Sequence, residues 1–138
     1  MKSLSELRLK VQSDITIDDV VEAIIYKSEQ KKIPKSQAFF QRAFHQLQQK
    51  VPGLFGDLIF DESGLIPYSD ELDSVLFRLE ASNVLHTLNP AYRNYQIEDS
   101  IGLLEESYNK LHERIMEIDK CASIFSDLIK QQVNKNEQ

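Results

Sequence analysis

The chain of 138 residues lacks the features that mark secreted, membrane-spanning and nucleotide-binding proteins. Cys121 is the only cysteine, which excludes an internal disulfide and favours a reducing compartment. No apolar run approaches the roughly 18 residues of a bilayer span, and residues 1–8 lack the apolar core of a signal peptide. Glycine-rich phosphate loops, serine elbows and nucleotide fingerprints are missing too. We therefore expect a cytoplasmic protein with no membrane segment, no cofactor and no enzymatic activity.

Positive charge is also scarce in this sequence. Acidic residues outnumber basic ones by 22 to 16, which gives a formal net charge of −6, whereas nucleic-acid-binding domains are usually basic. Six acids and one arginine give residues 61–84 a net charge of −5. Residues 35–60 carry three basic residues and one acid, a net charge of +2. One short basic segment therefore precedes a strongly acidic one.

The first half of the sequence predicts three helices. The composition, 41% hydrophobic and 28% charged, is that of a folded globular protein. Ser3 with Glu6, and Thr16 with Asp19, have the spacing of a capping box, so we expect a short helix over residues 3–12 and a second helix after Thr16. The second helix has an apolar face at helical spacing, formed by Ile17, Val20, Val21, Ile24 and Ile25.

A third helix is predicted from Ser36 to Lys50, after a break at Ile33-Pro34. Its inner stripe consists of Phe40, Phe44, Leu47 and Val51. Its glutamines, Gln37, Gln41, Gln48 and Gln49, are expected to lie mostly off that stripe. The segment Lys-Lys-Ile-Pro-Lys would then join two helices into a helix-turn-helix.

Two β-hairpins and a fourth helix are expected in the middle of the chain. Residues 58–60 and 65–66 flank a polar turn that ends in glycine, which indicates a small hairpin. Ser69 is the predicted N-cap of the fourth helix, whose buried face consists of Leu72, Val75, Leu76 and Leu79. Residues 84–88 and 95–97 bracket Asn89-Pro90, which predicts a second hairpin where a winged-helix domain carries its wing.

The last third of the sequence has the most regular pattern. No glycine or proline follows Gly102, and apolar residues recur in steps of three and four. They are Ile101, Leu104, Tyr108, Leu111, Ile115, Ile118, Ala122, Phe125 and Ile129. This repeat predicts a seam along one heptad helix, roughly 45 Å long at about 1.5 Å per residue. The domain organisation that follows is a helical domain over residues 1–98 and a long C-terminal helix over residues 99–138.

Two partners are compatible with this heptad seam. The seam can pair with its copy in a homodimer, and the length of the helix favours that interpretation. The residues of the candidate dimer seam are Tyr108, Leu111, Ile115, Ile118, Ala122, Phe125 and Ile129. Alternatively, the seam packs against helices of its own chain. Leu103, Ile124 and Leu128 widen the apolar stripe, which indicates more than one neighbour.

The basic third helix is the candidate for DNA contact. The candidate residues are Lys35, Arg42 and Lys50 for phosphates, Gln37 and Gln41 for adenine edges, and Arg93 in the wing hairpin. The competing interpretation is an ordinary amphipathic helix with a glutamine-rich outer face. The acidic fourth helix nearby would also repel a duplex.

The acids at the start of the fourth helix are the candidate protein-partner contact. Asp70, Glu71 and Asp73 suit the positive end of a helix dipole, so a solvated face explains them. They lack the alternating spacing of a calcium loop. A functional role would require a basic partner surface, because concentrated charge attracts its opposite.

The histidines and the cysteine carry no catalytic or metal-binding pattern. His45, His86 and His112 fall on three separate predicted elements without metal-ligand spacing. We expect them to be surface or half-buried side chains. Cys121 adjoins a seam position, which favours a small interior filler over a reactive thiolate.

Part of the chain resembles a known family. The resemblance is carried by Gly64-Leu65-Ile66-Pro67-Tyr68-Ser69-Asp70-Glu71-Leu72, then Leu76, Leu79, Asn83-Val84-Leu85 and Tyr95-Gln96-Ile97. This stretch is similar to the glycine-proline-tyrosine-serine, helix, hydrophobic, strand pattern of SocA-like (Panacea) antitoxin domains, and the order of elements agrees over about residues 15–98. Ile66 between the glycine and the proline departs from that pattern. The resemblance implies a winged-helix-like scaffold for protein contacts, often encoded beside a toxin or phage-defence gene.

The sequence therefore predicts a mainly α, winged-helix-like domain with one or two short β-hairpins and a long C-terminal heptad helix. Its expected function is that of a dimeric protein-interaction module, antitoxin-like or defence-associated. The alternative is a dimeric winged-helix transcriptional regulator that binds DNA.

Overall fold

The computed structural model describes residues 16–30, 32–55, 58–87, 94–97 and 100–136. The helices in these ranges are α1 (Ile17–Ser28), α2 (Gln37–Lys50), α3 (Asp70–Ala81), α4 (Ile101–Lys110) and α5 (Ile115–Asn136). The strands are β1 (Lys32–Pro34), β2 (His86–Thr87) and β3 (Asn94–Gln96). The prediction of a mainly helical chain is confirmed. The helix predicted over residues 3–12 lies outside the described residues.

Helices α1, α2 and α3 begin at the N-caps that the sequence predicts. The Thr16 hydroxyl accepts a hydrogen bond from the Asp19 N–H at 3.3 Å, and the Asp19 carboxylate accepts one from the Thr16 N–H at 3.0 Å. These two bonds complete the capping box. The hydroxyls of Ser36 and Ser69 each accept from the backbone N–H three residues later, at 3.1 and 3.2 Å. Local capping chemistry therefore fixes where each of these helices starts.

The strands form one antiparallel sheet in the order β1-β3-β2. His86 of β2 lies opposite Gln96 of β3, so the predicted pairing of the second hairpin is confirmed, while its Asn89-Pro90 turn lies outside the described residues. Ile33 of β1 lies opposite Tyr95. The predicted helix-turn-helix connection is therefore wrong, because its residues extend into an edge strand that pairs with a segment some 60 positions later.

The loop before α3 contains a single β-bridge instead of the predicted first hairpin. Asp61 and Tyr68 exchange backbone hydrogen bonds of 2.7 and 3.0 Å. The Asp61 carboxylate also accepts from the backbone N–H two residues later at 2.9 Å, which turns the chain immediately. Ile59 and Leu65 are 82% and 104% exposed, whereas Leu58 is buried and Phe60 packs partly against the core. The two segments therefore meet only at the bridge, and an isolated two-stranded pairing of this kind gains little stability.

The C-terminal heptad segment bends between α4 and α5. A 3₁₀ turn, His112–Arg114, separates the two helices, so the prediction of one continuous helix is wrong. The Tyr108 hydroxyl donates to Asp119, eleven residues later, at 2.8 Å, whereas such residues lie about 16 Å apart along a straight helix. Both helices pack against α1, and the bend allows one chain to place them both there.

Most of the seam is buried inside the single chain. Leu104, Leu111, Ile118, Ala122, Phe125 and Ile129 are each at most 1% exposed. Helix α5 packs against α1, α2 and β1, and the Phe125 ring lies 5.4 Å from that of Phe44 and 5.8 Å from that of Phe39. Tyr108 and Ile115 are partly exposed at the bend. Intrachain contacts therefore occupy this seam, and a homodimer stays a prediction.

The stability of this core is expected to fall at alkaline pH. Desolvation, and to a lesser extent the neighbouring Glu80 carboxylate, raises the pKa of Tyr95 from 10.0 to about 12. Desolvation, and to a lesser extent the hydrogen bond to Asp119, raises the pKa of Tyr108 from 10.0 to about 12 as well. Desolvation raises the pKa of Cys121 from 9.0 to about 11. Because the unfolded chain loses these protons first, the free energy of unfolding should be undiminished below pH 9 and fall as the pH approaches 12.

Urea unfolding followed by circular dichroism between pH 8 and pH 12 measures this effect. Tyr95→Phe and Tyr108→Phe should each reduce the slope of stability against pH above the ordinary tyrosine pKa of 10.0. A slope that is unchanged in the double variant would show that these hydroxyls do not cause the alkaline loss.

None of the helices in the described ranges combines the length and the hydropathy that a membrane-spanning segment requires.

Candidate partner-binding surface

The outer face of α3 combines an exposed aromatic ring with carboxylates. The buried face of this helix is the predicted one, formed by Leu72, Val75, Leu76 and Leu79. Phe77 lies on the opposite side and is 72% exposed. At helical spacing its neighbours on that side are Asp73, one turn before it, and Glu80, one turn after it, with Asp70 a turn further. We call Asp70, Glu71, Asp73, Phe77 and Glu80 the α3 face.

A buried glutamine fixes the beginning of α3. The side chain of Gln41 on α2 accepts from the Ser69 N–H at 2.8 Å and donates to the Ser69 carbonyl at 3.1 Å. Both residues are 0% exposed. The expected position of Gln41 away from the inner stripe is therefore wrong, since this residue belongs to the core. Its two bonds hold the N-cap of α3 against α2.

Ion pairs and hydrogen bonds hold the sides of α3. The Arg78 guanidinium donates twice to the Asp18 carboxylate of α1, at 2.9 and 2.7 Å. On the other side, Glu80 accepts from the Tyr95 hydroxyl at 3.1 Å and lies 3.7 Å from the Lys35 ammonium. These contacts join α3 to α1, β3 and the start of α2. The α3 face is consequently presented by a helix that is already positioned, which lowers the entropic cost of binding.

Asp73, like Glu80, is engaged by two neighbouring side chains. Its carboxylate accepts from the Gln37 amide at 2.5 Å and from the Tyr68 hydroxyl, whose pKa is raised by desolvation and by this bond. Asp70 and Glu71 are exposed to solvent. The three predicted partner-contact acids therefore lie on one turn of helix, two of them accessible and one held by neighbours.

The loop from Leu58 to Tyr68 adds two exposed apolar side chains, Ile59 and Leu65. The Gln48 amide on α2 donates to the Phe55 and Leu58 carbonyls at 2.8 and 2.7 Å, and the His45 ring is 2.7 Å from Glu62. With the Asp61–Tyr68 bridge, these bonds hold the loop in place. This loop leads directly into the N-cap of α3, so the loop and the α3 face are both held by side chains of α2.

The candidate DNA contacts do not form one accessible basic surface in the described structure. Gln41 is buried, Gln37 is bonded to Asp73, and Lys35 pairs with Glu80 while lying 6.0 Å from the Tyr95 ring centre. Arg42 and Lys50 are exposed on α2. Arg93 lies outside the described residues. The acidic helix that was expected to repel a duplex is bonded directly to the start of α2.

The histidines and Cys121 are placed much as the sequence predicts. His45 and His86 are partly buried, and His112 is exposed. Cys121 is buried, and desolvation raises the pKa of its thiol to about 11, which disfavours a thiolate near neutral pH. Among the residues that the structure describes, no three histidine, cysteine or acidic side chains are grouped to hold a metal ion.

Comparison with known proteins finds no matching family model, no matching curated protein and no matching solved structure.

Phe77, Ile59 and Leu65 are the surface residues that the sequence analysis missed. A signal for Phe77 was present, because it falls opposite the four apolar residues of the predicted fourth helix. This position places a large apolar residue among the acids of the same helix face. The two loop residues carried no comparable signal, since their exposure depends on the bridge replacing a hairpin.

Proposed function

We propose that this protein is a protein-interaction module that binds its partner through the α3 face. The observation that carries the proposal is Phe77, which is 72% exposed on a rigidly held helix and flanked by carboxylates. Aromatic side chains are enriched at the core of protein interfaces, and the rim around that core is polar. The 58–68 loop, which leads into α3, exposes two further apolar side chains, Ile59 and Leu65.

The partner is a protein segment that is positively charged and offers an apolar pocket. Residues 61–84 carry a net charge of −5 out of a chain total of −6, so nearly all the excess negative charge lies in and before α3. Such a concentration of charge attracts a basic surface and accelerates its encounter. Phe77 then supplies the short-range contact, and the carboxylates of Asp70 and Glu71 are exposed to solvent.

A winged-helix-like scaffold is consistent with this proposal. The order α1, β1, α2, α3, β2, β3 and the sheet order β1-β3-β2 support such a scaffold, and in a helix-turn-helix the second helix of the pair is the one that reads DNA. Here that helix is α3, which presents carboxylates. The resemblance to SocA-like antitoxin domains supports an antitoxin-like or defence-associated role for the same face, and a homodimer is part of the proposal.

The regulator alternative rests on Arg42 and Lys50 of α2, which stay accessible. The engagement of Lys35 and Gln37 by the acids of α3 disfavours it. Fluorescence anisotropy against sheared DNA at about 50 and about 200 mM salt separates the two functions, since phosphate contacts lose affinity steeply with salt. Salt-dependent binding that Arg42→Glu abolishes would favour the regulator.

The protein-partner function predicts two variants that lose the same partner. Phe77→Ala should weaken the captured complex by about 2 kcal/mol, which is roughly thirtyfold. The double variant Asp70→Lys, Glu71→Lys should slow association and change its salt dependence. The partner is first identified by mass spectrometry as the protein that immobilised wild type retains from lysate. It is then purified and titrated against each variant by calorimetry.

Matched controls come from α4 and α5. Met116→Ala removes another exposed apolar side chain, and Glu105→Lys with Glu106→Lys reverses another exposed acidic pair. Both controls should bind the purified partner like wild type. Wild-type affinity of Phe77→Ala, or equal losses in the controls, would rule out the α3 face as the binding surface.

A further inference from the structure

The bend between α4 and α5 occurs in a segment whose sequence favours a straight helix. The residues of the bend are Leu111, His112, Glu113 and Arg114, none of which is a glycine, a proline or a β-branched residue. The three-and-four spacing of apolar positions continues through the bend from Tyr108 to Ile118. The helix propensity of these residues and the spacing of the apolar positions therefore both favour a straight helix, although the observed segment is bent.

The backbone at the bend uses shorter-range hydrogen bonds than a straight helix would. The Leu111 N–H donates to the Tyr108 carbonyl at 3.1 Å, and the Arg114 N–H donates to the Leu111 carbonyl at 2.8 Å. A straight helix would replace these three-residue bonds with four-residue bonds of better geometry. Straightening would also remove the helix ends on both sides of the turn, where backbone groups lack intrahelical partners.

Each half of the bent segment is held on α1 by its own contacts. Ser107 of α4 donates to Glu22, and Lys110 donates to Asp19 at 3.0 Å. For α5, the Gln30 amide just after α1 donates to the Ser126 hydroxyl at 3.0 Å. None of these bonds requires that α4 and α5 belong to the same chain, because the two sets involve different positions on and just after α1. The Tyr108–Asp119 bond across the bend would become a bond between the two chains.

A straight α4–α5 helix would separate α5 from its own α1. Helix α5 has 22 residues and would extend about 33 Å beyond the end of α4. Its departure would uncover the ring cluster that Phe125 forms with Phe39 and Phe44. The segment whose side chains fit that opening is an α5 helix, from the same chain or from a second copy.

We propose that α5 exchanges between two copies of this chain, with residues 111–114 as the hinge. In the exchanged dimer each chain has a continuous heptad helix, and its α5 packs on the α1, α2 and β1 of the second copy. Leu111 and the partly exposed Ile115 of the two hinges then meet at the centre. The buried seam residues Ile118, Ala122, Phe125 and Ile129 become intermolecular contacts without any change of neighbour.

This inference specifies the homodimer of the proposed function and is independent of the partner-binding α3 face. Exchange of identical elements generates closed two-fold dimers. Because α5 must first leave a packed core, the exchange is slow in the folded state and fast during refolding. Dimers should therefore accumulate after refolding at high protein concentration and persist on dilution.

Cross-linking tests the connectivity directly. Gln30→Cys and Ser126→Cys are combined with Cys121→Ala, so that the two new thiols lie at the observed Gln30–Ser126 contact. The isolated monomer and dimer fractions are treated with a short bis-maleimide and denatured. We expect single chains from the monomer and covalent two-chain species from the dimer. Single chains from the dimer would overturn the exchange and leave the α3 face untouched.

Hinge variants provide the second readout. His112→Pro places proline at the first position of the 3₁₀ turn, whose N–H a helix does not use, but in the interior of the straight helix, where proline is strongly unfavourable. The dimer fraction measured by light scattering should fall at least about 100-fold relative to the control His112→Ala. Equal dimer fractions, or the absence of any dimer after concentrated refolding of wild type, would overturn the proposal. If His112→Pro does not fold, the cross-linking result decides alone.

Discussion

Replacing Phe125 with alanine is expected to lower the free energy of unfolding by about 3–5 kcal/mol. The side chain is 0% exposed, and its ring lies 5.4 to 6.1 Å from the rings of Phe44, Phe39 and Phe40. Its removal leaves a cavity between α5 and α2 that these aromatic neighbours can fill only in part. A loss of this size is a large fraction of the roughly 5–15 kcal/mol that stabilises a typical domain.

Urea unfolding monitored by circular dichroism measures the loss. Phe125→Leu keeps most of the volume and should cost less than the alanine variant. Ser123→Ala changes an exposed position of the same helix and should leave the midpoint nearly unchanged. If Phe125→Ala unfolds within about 1 kcal/mol of wild type, α5 does not complete the core as described.

Replacing Gln41 with methionine is expected to cost about 2–4 kcal/mol, although the two side chains are similar in size. The change leaves the Ser69 N–H and carbonyl buried without their partners at 2.8 and 3.1 Å. Each unsatisfied backbone group costs about 1–3 kcal/mol. Because these bonds fix the N-cap of α3, amide exchange in the first turn of α3 should accelerate more than exchange in α1.

The matched control is Gln49→Met, which makes the same chemical change at an exposed position of α2. It should alter the free energy of unfolding by less than about 0.5 kcal/mol. Equal stability of the two variants would mean that the Gln41 bonds contribute nothing net. Hydrogen exchange measured by mass spectrometry supplies the second comparison, since only Gln41→Met should loosen α3.

The helix starts could be predicted because their cause is local. A hydroxyl at Thr16, Ser36 or Ser69 satisfies N–H groups within three residues, so the relevant interaction lies inside a short stretch of sequence. The buried face of α3 followed from periodicity for the same reason. The acids Asp70 and Glu71 were likewise identified from helix-start chemistry, and they lie on the accessible face.

Features that depend on distant partners escaped prediction. Strand β1 exists because Ile33 pairs with Tyr95, and nothing near Ile33 in the sequence specifies that partner. The burial of Gln41 depends on the backbone of Ser69, 28 positions away. A polar residue next to an apolar stripe is normally solvated, and only the meeting of α2 with α3 makes it a core residue.

The heptad spacing predicts which positions are buried, but it does not predict whether the helix is continuous. Apolar spacing identified the buried positions of α4 and α5, since both helices turn one face toward α1. It could not reveal the bend, because a seam of constant spacing is compatible with a straight helix and with two shorter ones. The Tyr108–Asp119 bond is the kind of contact across a bend that no helical repeat encodes.

The position of α5 also governs how this protein can fold during its synthesis. Ribosomes deliver the chain from its amino end, so α1, β1 and α2 emerge before the helix that seals their aromatic core. Until Phe125 and Ile129 have left the exit tunnel, the nascent chain displays the phenylalanine rings of α2 to chaperones and to other nascent chains. The core therefore closes only after α5 has been synthesised and has left the tunnel, and until then neighbouring chains on one polysome have open binding sites for α5.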